Sequence, residues 1–108
     1  MAGKPVAELL GGARSSAAAY FNTAGSSIDE LIRDGEIGLE AGYSTLKDHL
    51  AFSNAENINA FERFRSAFGA EVGLMHDAAL ASYNYEEAIE VGRALESTGF
   101  IWFEEPID

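Results

Sequence analysis

Residues 73–106 read GLMHDAALASYNYEEAIEVGRALESTGFIWFEEP, and the order of features in this stretch decides the fold. An apolar run, Val72 to Met75, is followed at once by His76 and Asp77. Small residues then lead to Tyr83-Asn84-Tyr85. From about Tyr85 to Ser97 the residues Ala88, Ile89, Val91, Ala94 and Leu95 recur at the spacing of one helix face. Gly99 is the kind of residue that ends a helix. Phe100 to Phe103 is a second apolar run of strand-forming residues, and Glu104-Glu105-Pro106 follows it. Strand, polar loop, amphipathic helix, glycine, strand is the βα unit of a parallel sheet.

The same unit recurs toward the N terminus. Ala17 to Asn22 (AAAYFN) reads as a buried strand, and Thr23 to Ser27 as a polar loop. Ser27 with Glu30 makes a capping box. It opens a helix over 28–41, with Ile28, Leu31, Ile32, Ile37 and Leu39 on one face and Gly42 as its stop. Tyr43 to Leu46 is a short β-prone run leading into Lys47-Asp48-His49. Asn54 opens the next helix, with Ile58, Phe61, Phe64 and Phe68 at helical spacing, and Gly69 closes it. Gly42, Gly69 and Gly99 lie 27 and 30 residues apart, and each precedes a short strand. A brief helix over Pro5–Gly12 comes first. No linker, domain boundary or low-complexity tract interrupts the series, so an α/β domain with four parallel strands is expected.

Composition narrows the functional classes. With 18 acidic against 7 basic residues the net charge is −11, which argues against nucleic acid and anionic membrane as partners. The absence of cysteine removes disulfides, thiolate nucleophiles and cysteine-ligated zinc. No apolar run approaches the roughly 20 residues of a membrane span, and no signal-peptide pattern is present, so a soluble, cytoplasmic protein is expected.

In parallel sheets of this kind, chemistry gathers at the carboxyl ends of the strands. Three successive strands here end in ionisable residues: Lys47-Asp48-His49, His76-Asp77 and Glu104-Glu105. Asp77 and Glu104 would stand side by side. With water and a third ligand they would form an oxygen-rich Mg²⁺ site. Lys47 and His49 alternate along one strand and so face the same side. Either is a candidate catalytic base for removing a proton next to a carboxylate, the metal stabilising the enediolate that results. Plainer readings stand beside these. Asp77 taken alone could be a cap, Glu104 a first-turn helix acid, Lys47 a solvated strand-end residue. Glu105 reads as supporting or structural. His76 should point toward the helices and be structural. Phe61, Phe64, Phe68 and Trp102 read as core aromatics. Gly11-Gly12 is no phosphate loop, because it lacks the lysine and the preceding strand.

The stretch from Gly73 to Asp108 resembles the mandelate racemase and muconate-lactonizing branch of the enolase superfamily: an Asp ending the third barrel strand, a helix of EEAIEVGRALE character, and a fourth strand ending in WFEEP. The opening AGKPVAELLGG resembles the same family where its capping domain hands over to the barrel. The resemblance implies a partial (β/α)₈ TIM barrel, about its first four βα units, with residues 1–108 as an incomplete C-terminal barrel domain. It implies Asp77 and Glu104 as Mg²⁺ ligands and places Lys47-Asp48-His49 where the family often carries Lys-x-Lys. The implied parent is a homo-oligomeric lyase or isomerase acting on a small carboxylate substrate, an acid sugar or hydroxy acid, by dehydration, racemisation or cycloisomerisation. Two departures stand out. His49 replaces the lysine that the family usually uses as the base, and the interval from Asp77 to Glu104 is about one residue longer than the pattern.

A barrel of this kind needs about 250 residues and eight strands. By resemblance, the third metal carboxylate, the opposing acid/base pair and the substrate-capping domain lie outside these 108 residues, and Met1 fits the interior of the family pattern. Two other readings compete. One is a phospho-accepting receiver domain, which wants an acidic pair after its first strand where this chain has Asn22-Thr23-Ala24-Gly25. The other is a non-catalytic remnant or assembly partner, with open strand edges that favour aggregation or self-pairing.

Overall fold

Each long helix begins on a side chain that satisfies its free N–H groups, and these starts set the element order. In a computed structural model, residues 3–12, 14 and 16–107 are described. Met1, Ala2 and Asp108, at the ends of the two stretches that carry the family resemblance, lie outside them. The elements are α1 (Val6–Leu9), β1 (Phe21–Asn22), α2 (Ile28–Glu40), β2 (Thr45–Asp48), α3 (Asn54–Phe68), β3 (Gly73–Asp77), α4 (Tyr85–Ser97) and β4 (Trp102–Glu104). Ser53 with Glu56, and Asn84 with Glu87, form complete reciprocal capping boxes at α3 and α4. At α2 the expected box is half made. Ser27 accepts from the Glu30 N–H, but the Glu30 carboxylate turns to the backbone N–H and hydroxyl of Ser26 instead, and these bonds lower its pKa.

The four strands pair in the order β1-β2-β3-β4, all parallel. This sequential order excludes the receiver-domain reading, whose sheet runs 2-1-3-4-5. The first strand is shorter than the sequence predicts. Ala17 to Tyr20 are exposed and lie outside the ladder, which begins at Phe21↔Leu46. β1 is an edge strand, and the residues of β2 that could pair with its earlier part precede Thr45, where the ladder starts. The other strands start later than expected and run onto the ionisable residues, so that Lys47, Asp48, His76, Asp77 and Glu104 belong to the strands themselves.

The helices cover one face of the sheet. The core between them holds Leu31, Leu46, Leu50, Phe61, Phe64, Leu74, Val91 and Leu95. On α2 the buried stripe is Leu31, Gly35 and Gly38. Ile37, expected inward, is 58% exposed. The two glycines explain the difference. A methyl group at Gly38 would meet the Phe21 ring at 2.6 Å, and one at Gly35 would meet Phe68 at 2.5 Å, so the helix lies against β1 and α3 on its glycine side. Ile89 of α4, also expected inward, is exposed beside a shallow apolar groove that includes Tyr85, Phe103 and Ile107. At the amino ends of the strands, Arg65 of α3 donates to the carbonyls of Gly69, Val72, Thr98 and Gly99 at 2.6–2.9 Å, tying the ends of α3 and α4 together.

The opposite face of the sheet carries Lys47, Met75, Asp77, Trp102 and Glu104, as the strand register requires. No helix among the described residues covers it. Trp102, expected in the core, is therefore 54% exposed there, and Phe103, one residue on, takes the place on the helix side. The radius of gyration, 16.2 Å, exceeds the roughly 13 Å of a compact domain of about 100 residues, as an open layer should. No helix among the described residues is long and apolar enough to cross a membrane.

Candidate functional site

The carboxyl ends of β2, β3 and β4 bring the four predicted site residues into one cluster on the open face. The Lys47 ammonium donates to Asp77 Oδ2 and to Glu104 Oε2, both at 2.9 Å. His49 Nε2 lies 3.1 Å from the same Asp77 oxygen. The register accounts for this. Asp77 pairs with Glu104, Lys47 pairs with Met75 one pleat below Asp77, and His49 follows two residues after Lys47.

Each group is held from more than one side. Asp77 Oδ1 accepts the Ala79 N–H at 3.1 Å. Glu104 Oε2 also accepts the Trp102 indole N–H at 3.2 Å, and the Glu104 carbonyl accepts the Ala78 N–H. Thr23 donates its backbone N–H and its hydroxyl to the Lys47 carbonyl, tying β1 to the site. The Lys47 ammonium stands 5.1 Å from the centre of the Tyr20 ring. Glu105, directly after Glu104, has φ 47°, a left-handed conformation uncommon outside glycine that ends the strand sharply.

The electrostatics follow from this packing. Burial works against the Lys47 ammonium, but its hydrogen bonds to Asp77 and Glu104 outweigh burial and hold its pKa well above the ordinary lysine value. Burial likewise works against the Asp77 carboxylate, and the bonds from Lys47 and Ala79 with the charge of His49 reverse it, so its pKa is lowered. Lys47 and Asp77 are both buried, whereas the His49 side chain is 35% exposed.

The donor set suits a hard divalent cation in part. Two carboxylate oxygens from adjacent strands already converge on one positive charge, the Lys47 ammonium, and Mg²⁺ is commonly held by one or two carboxylates with water and substrate oxygens. Among the described residues no group of three or more His, Asp or Glu side chains is placed to hold a metal by itself.

On the helix side of the same strand ends lies a second polar cluster, of which only His76 is placed by the strand alternation read from the sequence. His76 is fully buried, as its alternation predicts, between the rings of Phe61 and Phe103. It meets Asp48 at 2.6 Å through Nδ1 and the Tyr83 hydroxyl at 3.2 Å through Nε2. Asp48 is marked in the sequence only as one of the ionisable strand-end residues, and Tyr83 only as part of a loop, because a single Asp in a strand and a single Tyr in a loop carry no pattern of their own. The alternation of β2 and β3, applied to Asp48 as it was to His76, could have found the first of them.

Known proteins share this arrangement of strands. The chain is 38% identical to L-talarate/galactarate dehydratase of Salmonella typhimurium, over 99% of its own length and 28% of that protein. It superposes with a TM-score of 0.84 on D-glucarate dehydratase from Agrobacterium tumefaciens complexed with magnesium, at 30% identity over 96% of this chain and 31% of that one. With L-Ala-D/L-Glu epimerase from Bacillus subtilis the TM-score is 0.87, at 27% identity over 96% of this chain and 30% of that one. The chain thus spans about three tenths of the length of these relatives. Its four parallel strands and their helices form part of a (β/α)₈ barrel of the kind those enzymes carry. The family described as enolase C-terminal domain-like matches residues 31–108, from the first turn of α2 through all the strand ends that bear the cluster, and the chain belongs to that family, within the enolase superfamily.

Proposed function

We propose that these residues are part of the barrel domain of a Mg²⁺-dependent enzyme that removes the α-proton of a carboxylate substrate, and that the enzyme is an acid-sugar dehydratase. The observation that carries this reading is the convergence of Asp77, Glu104, Lys47 and His49 at adjacent strand ends, with Asp77 and Glu104 meeting one positive charge at 2.9 Å. Similarity to a talarate/galactarate dehydratase favours dehydration over epimerisation. The capping domain and the remaining strands belong, in this reading, to the rest of the protein, consistent with the three-tenths of the relatives' length that the chain spans.

Asp77 and Glu104 would hold the cation. Mg²⁺ bound there would supply charge stabilisation for a substrate carboxylate that gains negative character as its α-proton leaves. Lys47 is the charge-balancing group, because its ammonium is committed to the two carboxylates and its stem is buried. His49 is the base. Its Nε2 lies 3.1 Å from Asp77 Oδ2, so the Asp77 carboxylate faces the imidazolium that forms when His49 takes the α-proton. The exposed indole of Trp102 and ring of Tyr20 flank the cluster and would exclude water from one side of a bound substrate.

A chimera tests the reading: residues 3–107 placed in the matching segment of the Salmonella dehydratase. The expected result is Mg²⁺-dependent dehydration of galactarate, lost in Asp77→Asn and Glu104→Gln through weakened metal binding. In His49→Ala it is lost with metal binding intact. A folded, metal-binding chimera in which His49→Ala exchanges the substrate α-proton with D₂O as fast as its parent would remove His49 as the base.

A further inference from the structure

The cluster behind the strand ends has a definite direction. Asn57 Nδ2 donates to the Tyr83 hydroxyl at 2.6 Å. With its oxygen so occupied, the Tyr83 proton has His76 Nε2, at 3.2 Å, as its acceptor. Burial raises the Tyr83 pKa, so this hydroxyl keeps its proton. His76 then carries its own proton on Nδ1 and donates it to Asp48 Oδ1 at 2.6 Å, a tautomer assigned from the hydrogen-bond order. Asp48 Oδ1 accepts in addition the Leu50 backbone N–H at 3.1 Å. Asn57 and His76 are fully buried, and Asp48 and Tyr83 nearly so.

Position gives this chain of bonds its meaning. Asp48 sits between Lys47 and His49, and through Leu50 it fixes the backbone on the far side of His49. His76 immediately precedes Asp77. Asp48 and His76 are register partners, so their bond ties the ends of β2 and β3 on the helix face. On the open face the same two strand ends are tied by Lys47 and His49 to Asp77. Asp48 Oδ2 is buried without a hydrogen-bond partner. A carboxylate placed to burial's disadvantage in this way is costly unless its remaining bonds are kept.

We infer that Asp48, His76 and Tyr83 are positioning residues: a directed Tyr83–His76–Asp48 relay of hydrogen bonds, anchored on α3 by Asn57, that holds Lys47, His49 and Asp77 in mutual register from behind the sheet. The inference rests on the functional reading above for what the held residues do, and on the two-faced tie itself for the fact that they are held. None of the three positioning residues touches the substrate side. Groups that orient ligating and catalytic residues in this way typically change metal affinity or activity by about 10–100-fold when altered.

The test uses the chimera with the Salmonella dehydratase described above and two conservative variants of it, Asp48→Asn and Tyr83→Phe. Backbone amide exchange is followed by mass spectrometry, and Mn²⁺ affinity by electron paramagnetic resonance. The expected result is amide exchange at Leu50, Ala78 and Ala79 faster by about tenfold or more, with α2 and α4 unchanged, and Mn²⁺ affinity lower by about tenfold. A merely structural role would speed exchange throughout, or lower the melting temperature while leaving these three amides and the Mn²⁺ affinity of the folded protein alone, and that result would overturn the inference. Should Asp48→Asn not fold, Tyr83→Phe, which removes one oxygen atom, decides. If the unaltered chimera binds no Mn²⁺ while the three amides still respond selectively, the metal reading fails and the positioning inference stands.

Discussion

Lys47 is the residue on which the site's stability turns. Removing one partner of a buried, hydrogen-bonded ion pair costs about 3–5 kcal/mol, because the other charge is left unpaired. Lys47→Met should therefore destabilise the fold by about 3 kcal/mol at neutral pH, measured by chemical denaturation, and Mg²⁺ should restore part of it by replacing the lost positive charge. The sign of the pH dependence follows from the two shifts. The lowered Asp77 pKa adds stability above its ordinary value of 3.8, and this is lost as pH falls through the lower folded value. The raised Lys47 pKa adds stability that is complete below its ordinary value of 10.5 and lost only as pH rises through the higher folded value. Stability should hold level between these limits and fall on the acid side first, and the acid-side fall should shrink in Lys47→Met. At Glu105 the left-handed backbone costs a non-glycine residue about 1 kcal/mol, so Glu105→Gly should melt no lower than the parent and raise stability by up to about that amount. The four candidate residues were legible in the sequence because a strand end is marked by the change from apolar to ionisable residues. The meeting of Lys47 and His49 on Asp77 was not, because it depends on the register between strands about 30 residues apart.

Among the elements, the helices were read well and the strands poorly, for a physical reason. A helix is local. α4 was placed at Tyr85 to Ser97 from its own apolar spacing and its terminal Gly99. An edge strand is defined by its neighbour, so β1 shrank to Phe21–Asn22 where β2 offers partners. The inner face of α2 was misread at Ile37 because the contact stripe contains two glycines, which carry no hydrophobic signal. Gly38→Ala tests that packing. Alanine favours helix by about 1 kcal/mol, yet its methyl would meet Phe21 at 2.6 Å, so a net loss of about 1–2 kcal/mol is expected, as overpacking gives. Asn84→Ala should cost about 1 kcal/mol through the lost cap of α4.

At the scale of the whole fold, one face of the sheet is covered and the other carries Trp102, Tyr20 and the ionised cluster, with no layer of helices upon it among the described residues. The edges at β1 and β4 present unpaired backbone. The isolated chain should therefore associate with itself as concentration rises, and sedimentation velocity should show it. A monodisperse monomer over a hundredfold range of concentration would show that the open face and edges are tolerated. The net charge of −11 opposes that association, so added salt should strengthen it.

The order in which the strands lie, each beside its neighbour in sequence, bears on how such a chain comes into being on the ribosome. Among these four strands none waits for a distant partner. β2 can dock on β1 once residue 48 has emerged, β3 on β2 some thirty residues later, and β4 on β3 after a similar interval. Loop closure is short at every step, so the barrier to each addition stays low and nearly constant. The sheet can grow by accretion during translation, and the cluster of Lys47, Asp77 and Glu104 assembles last, when the third of those strands arrives.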